Sequence, residues 1–359
     1  MSTPLVLAST VIMSACSQGE EAMDYSTLAA QTWCASPLPG GEEAALGQQL
    51  VRYATLAPSS HNTQCWKFKI EDKAITIFPD LSRRCPAVDP DDHHVFVSLG
   101  CATENLVQAA LALGFEANAS FDATQGAIRV TLAPARARVS PLFQAIPLRQ
   151  CTRADFDGKA LPVAELGLLE RAGTSNSVRM LVLTERLRMD EVLDFVVQAN
   201  TVQMADPAFV KELKTWIRFN GAEAVRTRDG LFSLTTGNPA IPSWLGQLAF
   251  SQFFKPQAEN DKCAHQIRSS AGIAVFIGQV ADKAHWVEVG RCYERFALQA
   301  TALGICNAFV NQPVEVPSVR ASFATMLGLG GQRPDLVVRF GRGPRMPSSL
   351  RRPVQAVMV

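Results

Sequence analysis

Apolar positions along the chain change their period several times, and each change marks an element. Trp66, Phe68 and Ile70 alternate with Lys67, Lys69 and Glu71, the period of a half-buried strand. A turn at Asp72-Lys73 leads into Ile75-Thr76-Ile77-Phe78, so 66–79 reads as a β-hairpin closed by Pro79. Val95, Leu99, Ala102, Leu106, Ala109 and Leu113 then recur at helical spacing. Asp89-Pro90-Asp91-Asp92 supplies the acidic start that exposed helix amides favour, and Gly114 follows the end. This helix, 91–113, is small or apolar around most of its circumference, which predicts a central position. Strands are expected at 115–121 and 127–132. Upstream, 24–34 and 42–56 read as helices separated by the breaker run 36–41.

The order then starts again. Helix 162–172, the polar turn 173–177 and strand 178–184 repeat the succession seen at 42–70. A strand at 272–278 feeds a helix at 284–303, and Ala302-Leu303-Gly304 ends it as Ala112-Leu113-Gly114 ends the earlier one. Further helices are expected at 187–203, 207–220, 243–253, 261–270 and 317–327, with strands near 305–310, 335–340 and 354–359. The stretch 221–242 reads as irregular and lid-like. These elements predict an α+β fold of two fused halves, 42–147 and 148–359, each built around a central helix, with a lid-like insertion near 221–262.

Composition narrows the function. Of 359 residues 47% are apolar and 19% charged, so the chain can bury a large core. The formal net charge is +1, with no field of one sign to hold nucleic acid. Nine scattered cysteines show no CxxC spacing, and five histidines form no HExxH, which argues against a disulfide framework and a metal. Residues 1–41 form an N-terminal extension. Its apolar run from Leu5 to Cys16 is too short for a membrane span. It has the size of a signal core, and Ser14-Ala15-Cys16-Ser17 has some likeness to a lipoprotein processing site, but the basic leader is absent. A true start farther upstream, a vestigial signal, export or a weak membrane anchor, and a packed segment all stay open, with the cytoplasm slightly favoured.

Two stretches carry candidate chemistry. Ala57-Pro58-Ser59-Ser60-His61-Asn62-Thr63-Gln64-Cys65-Trp66 puts six polar residues between a helix and a strand. It reads either as a surface turn or as a loop offering backbone and short side chains to a flat polar ligand. Arg149-Gln150-Cys151-Thr152-Arg153 places two guanidinium groups four residues apart, on one side whether helical or extended. Arginines also dominate the tail, with Arg351 and Arg352 near its end.

These residues resemble the FMN-dependent nitroreductase family, and more closely its tandem-repeat branch of Acg-type FMN-binding proteins. The loop 57–66 is similar to the family's Pro-Ser-x-x-Asn-x-Gln-Pro-Trp segment, with Cys65 in place of proline. Segment 149–153 is similar to its Arg-Arg-Ser/Thr-x-Arg signature, 298–304 to the end of its central helix, and 348–354 to its closing segment. The resemblance implies a nitroreductase-like fold whose halves form an intramolecular pseudo-dimer. It implies one FMN per chain, since 173–180 keeps only the Asn of the reciprocal loop. Pro58, Ser59, Ser60, Asn62 and Gln64 are then expected along the ring and ribityl chain. Arg149, Cys151, Arg153, Arg351 and Arg352 are expected around the phosphate, and the backbone of Gly304 and Ile305 near the pyrimidine side. No protein group is expected to be catalytic, because the flavin carries the electron chemistry.

The implied activity is a ping-pong oxidoreductase that takes hydride from NADH or NADPH and reduces a nitroaromatic, quinone or similar small molecule. The rival implication is an FMN store with a covered site and little turnover. Oligomeric state stays open between monomer and homodimer. Arg83-Arg84, His93-His94 and Trp66 are secondary candidates for ligand contact, and Trp244, Phe250, Phe253 and Phe254 for a lid. Gly328-Leu329-Gly330-Gly331 follows a helix rather than a strand, so it is a poor dinucleotide motif.

Overall fold

The computed structural model describes residues 24–35 and 43–359, so the expected signal-like run and breaker run lie outside the described residues. The α+β class expected from the sequence is the observed one. Trp66–Glu71, Ala74–Pro79, Phe115–Asp122 and Ala127–Pro134 form one antiparallel sheet, in the spatial order first, second, fourth, third. Val178–Leu183, Gly272–Gly278, Cys306–Phe309 and Leu336–Gly341 form another in the same order. In both, one long helix stands between the second and third strands: His93–Ala112 in the first half and Lys283–Ala302 in the second. The two sheets thus share one strand order and one place for the long helix.

The two long helices cross at a pair of glycines. A Cβ on Gly100 would stand 2.0 Å from the Val287 carbonyl oxygen, and one on Gly290 would stand 1.9 Å from that of Val97. Each glycine thus meets the carbonyl three residues upstream of the other, the reciprocal contact a two-fold relation produces. Leu99, Leu106, Val289, Tyr293 and Phe296 are fully buried around the crossing. Each such side chain contributes about 1.5–3 kcal/mol through its lost water contact. The helix His93–Ala112 is long and apolar enough to span a bilayer, but it is enclosed by the protein. Gly114 and Gly304 follow the two helices with φ of +87° and +68°, the left-handed turn that ends a helix with least strain in glycine.

Three expected elements differ. The second half carries its insertion between its first two strands, across 184–271, wider than the expected 221–262. Within it 221–242 is not one irregular stretch: Gly221–Thr227 is helical, Leu231–Phe232 pairs with Ile217–Arg218, and Ser233–Thr236 forms a turn of 3-10 helix. Those short elements depend on partners far along the chain, such as Tyr25, whose ring meets Phe232 at 4.4 Å. The expected strand at 354–359 is a short helix, Val354–Val357, after which Met358 pairs with Phe68 on the edge of the first sheet. The end of the second half thus reaches the first. All eight cysteines among the described residues are free thiols.

Candidate functional site

The polar loop is strained and firmly held. His61, Asn62 and Gln64 adopt φ of 49°, 54° and 55°, a region non-glycine residues avoid at a cost of about 1 kcal/mol or more each. Side chains hold that shape. The Gln64 amide N–H donates to Ser59 Oγ at 2.8 Å. Asn62 Nδ2 donates to the carbonyls of Gly230 and Leu350, and its Oδ1 accepts from Arg351. Gln64 Nε2 donates to Arg228 O, while its Oε1 accepts from the Arg352 amide. Asn62 and Gln64 therefore bracket the loop. Both donors of Asn62 are committed, and Gln64 is fully buried beneath the walls of the cleft. Pro58, Ser59 and Ser60 form its half-buried lip.

Segment 149–153 is extended, since Cys151 pairs with Asn307 on the edge of the second sheet and Thr152 N donates to Asn307 O. That strand-like run turns Arg149, Cys151 and Arg153 toward the loop, and all three line the same cleft. Arg149 is buried. It donates to Leu56 O and pairs through Nε with Glu294 at 3.1 Å. Burial pushes the Glu294 carboxyl up to about 7, although the Arg149 charge pulls the other way. Arg351 faces the same end, but its five N–H groups already serve Thr55, Leu56, Ala57, Leu350 and Asn62. It contributes charge there and has no donor to spare. Arg153 is different. Among the described residues its guanidinium makes no hydrogen bond or ion pair, yet it lies beside His61, whose imidazole is held down to about 4 by burial and then by Arg153.

The cleft has three connected parts, and Arg153 and Leu231 border all of them. A narrow end of about 60 Å³ lies among Arg149, Cys151, Arg153, Ser348 and Ser349. An inner cavity of about 240 Å³ runs from Ser59, Ser60 and His61 to Asn311, Gln312 and Glu315. The buried His61 Nε2 and Gln312 Oε1 have no partner there among the described residues. Glu315 accepts from Gln203 at 2.7 Å, and burial nevertheless pushes its carboxyl up to about 7. The outer part, about 480 Å³, is mostly apolar and includes Phe250 and Phe254, stacked at 4.4 Å.

Segment 228–231 runs beside the cleft, with Leu231 in the wall of all three parts. Asp229 takes Arg83 and both Nε and Nη2 of Arg218, and Gly230 N donates to Asn62 O. Burial disfavours the Asp229 carboxylate, but the hydrogen bonds from Arg218 and Arg83 outweigh it and hold the carboxyl below its ordinary range. This fastening is fully present above the ordinary pKa of 3.8 and is lost as pH falls through the depressed native value. Removing it with Asp229→Ala should raise amide hydrogen exchange at 228–232 by about 10-fold or more at neutral pH, since bonds to a charged group contribute about 1.5–3 kcal/mol. Unchanged exchange would mean the segment is held by something else.

Several expected positions move. Gly304 and Ile305 lie at the near end of strand Cys306–Phe309, Gly304 exposed at the helix end and Ile305 in the core. It is the far end of that strand, through Phe309, Asn311 and Gln312, that borders the inner cavity. Arg352 also points elsewhere, toward Ala356 O and Asp80. Trp66 is core, and Trp244 is exposed. Arg84 pairs with Asp92, while His94 borders the inner cavity. The side chain of Phe253 lies outside the described residues. Trp33 was missed: its Nε1 donates to Ser349 O and its ring walls the narrow end. Tyr25 likewise donates to Ser348 O at 2.6 Å, so helix Tyr25–Thr32 braces the site and is not a bare extension. An aromatic pair in an N-terminal helix gave no signal of that role.

No family model matches the chain. A Mycobacterium tuberculosis protein named "Putative NAD(P)H nitroreductase Rv3131" is 25% identical over 306 residues, 82% of this chain and 84% of that protein. A second from the same organism, "Putative NAD(P)H nitroreductase acg", is 23% identical over 322 residues, 86% of this chain and 93% of that protein. The resemblance drawn from the motifs is thus also a resemblance along most of the chain. A solved nitroreductase with bound FMN from Desulfitobacterium hafniense matches at 14% identity and a TM-score of 0.39, covering 60% of this chain and 96% of that one. A superposition that loose adds nothing to the geometry.

Proposed function

We propose that the chain is an FMN-dependent NAD(P)H oxidoreductase that reduces a small acceptor such as a quinone or nitroaromatic. The observation that carries this reading is the unpaired Arg153 guanidinium between the strained loop and the edge of the second sheet. Arg149, Arg153 and Arg351 converge at the narrow end against a single carboxylate, Glu294. That excess of positive charge suits a compact dianion such as a phosphate monoester, with Arg153 and Arg149 supplying forked donors and Arg351 charge alone. The unpartnered His61 Nε2 and Gln312 Oε1 next to it suit the polar edge of a flat ring. The residues present therefore fit FMN, which when bound would supply hydride and electron transfer. Ser59, Ser60 and Gln312 would orient the ring. Phe250 and Phe254 would exclude water from a donor or acceptor entering by the outer part.

The same reading makes the two halves a built-in dimer with one flavin. At the equivalent end of the second half, Arg295 takes the carbonyl of Ala172, and Arg291 and Arg295 are matched by Glu104 and Glu288. Two cations against two carboxylates leave no surplus for an anion. The fastened segment 228–231 gives the second reading its support: a wall tied down by Asp229 and Gly230 suits a protein that holds FMN with little turnover.

A visible spectrum of the purified protein before and after anaerobic NADPH separates the two. One FMN per chain, bleached by NADPH or NADH and reoxidised by a quinone, is the expected result. Retained flavin that does not bleach would favour storage. A protein that stays colourless when FMN is added would remove both readings, and two flavins per chain would remove the single-site reading.

A further inference from the structure

Behind the wall of the inner cavity, at His94, lies a group of side chains to which the flavin reading gives no role. Asp89, His93 and His94 are all buried, and each offers a ligand atom within 4.8 Å of the others. We propose that these three residues form a binding site for one divalent first-row transition metal ion, with zinc as the test ion. The inference is independent of the flavin reading.

The orientation of the histidines carries it. His93 Nε2 contacts Asp335 Oδ1 at 3.0 Å, and its Nδ1 has no partner among the described residues. A carboxylate on one ring nitrogen with the other left free is how metal-ligating histidines are fixed in ring angle and tautomer. Asp335 is itself anchored, because its Oδ2 accepts the Gly278 amide at 2.7 Å. His94 is 4% exposed; its ring comes near the Asp335 backbone, but among the described residues neither ring nitrogen has a partner in hydrogen-bond geometry. A buried imidazole left without hydrogen bonds forfeits those it would make in water, and a metal–nitrogen bond would offset that loss. Asp89 supplies the anion, one of its oxygens already accepting the Val95 amide at 3.2 Å.

Two imidazoles and a carboxylate on one side of an ion leave the remaining positions open. The group meets the inner cavity at His94, the member that is part of its wall. Glu315 Oε1, 3.9 Å from His94 Nδ1, stands at that opening. Bonds of roughly 2.0–2.2 Å need ligand atoms about 3–3.5 Å apart, so binding draws the three side chains in by roughly 1 Å. The nearby Arg333 is already paired with Asp91, which limits its repulsion. The spacing Asp-x3-His-His matches no common metal motif, so the group becomes visible only when the chain folds.

The test is equilibrium dialysis of the chelator-treated full chain against zinc sulfate, with bound metal counted by mass spectrometry. One ion per chain at micromolar free zinc is expected for the wild type. Asp89→Asn and His94→Asn should each lower affinity by about 100-fold or more, and Asp335→Asn, which removes only the orienting partner, by about 10–100-fold. Circular dichroism checks that each variant folds. If a variant does not fold, zinc-induced stabilisation of the wild type against urea gives the second readout. A wild type that binds no zinc overturns the proposal, as does binding that survives His94→Asn but is lost when the surface residues His265 and His285 are replaced.

Discussion

Arg153→Ala is expected to weaken FMN binding by about 10–100-fold while the flavin-free protein unfolds within about 0.5 kcal/mol of the wild type. The first figure follows from losing forked, charge-assisted hydrogen bonds to a phosphate, about 1.5–3 kcal/mol. The second follows from the absence of any hydrogen bond or ion pair to this guanidinium among the described residues, so nothing native is broken. Arg149 offers no such clean test. Its removal strands Glu294, fully buried at the other end of a 3.1 Å pair, and breaking a buried pair costs about 3–5 kcal/mol of stability whatever binds in the cleft. Arg153→Lys keeps the charge and loses the fork, so its affinity should fall between the two. A spectroscopic control needs no flavin. His61 is held down to about 4 first by burial and second by the Arg153 charge, so its pKa should rise in Arg153→Ala and stay below the ordinary 6.5. Flavin titration of the two variants decides the matter. Equal affinity in wild type and Arg153→Ala would take the phosphate away from the narrow end of the cleft.

The sequence carried the fold further than the site, for a physical reason. Period-two alternation at Trp66, Phe68 and Ile70 and the small-residue face of His93–Ala112 depend on neighbours a few positions away, so both are readable locally. The repeated order of elements was readable for the same reason. Site chemistry depends on which atoms are already taken. Arg351 looks like a phosphate ligand in a string of residues. In the fold its donors are used by carbonyls at the end of helix Glu43–Thr55, nearly 300 positions earlier. Asn62 is committed in the same way to Gly230 and Leu350. Arg153 and Arg351 differ only in their tertiary surroundings, and no pattern along the chain separates them. The error at Gly304 and Ile305 was smaller, one strand length. The Ala-Leu-Gly ending recurs because both helices need a left-handed residue there, and that requirement drew attention to the wrong end of Cys306–Phe309.

Gly290→Ala should be among the most destabilising single-methyl additions available in this protein, at about 3 kcal/mol or more. Alanine gains about 1 kcal/mol over glycine in helix propensity, but its Cβ would lie 1.9 Å from the Val97 carbonyl oxygen. A backbone carbonyl inside a buried helix cannot rotate away, so the two long helices must separate along their crossing. Overpacking of this kind costs about 1–3 kcal/mol where side chains can yield, and more where they cannot. Gly100→Ala meets the same obstacle from the other side, 2.0 Å from the Val287 carbonyl oxygen. Because one separation relieves both overlaps, the double variant should lose clearly less than the sum of the singles, a coupling of about 1 kcal/mol or more between contacting sites. Urea unfolding of the four proteins measures the cycle. Strict additivity would mean that the two glycines do not share one contact. The consequence reaches the cleft as well. Glu294, which holds Arg149, lies four residues beyond Gly290, and His94, in the cavity wall, lies six residues before Gly100. Moving the helices apart therefore shifts two walls of the site at once, and flavin affinity should fall in Gly290→Ala even where the variant remains folded.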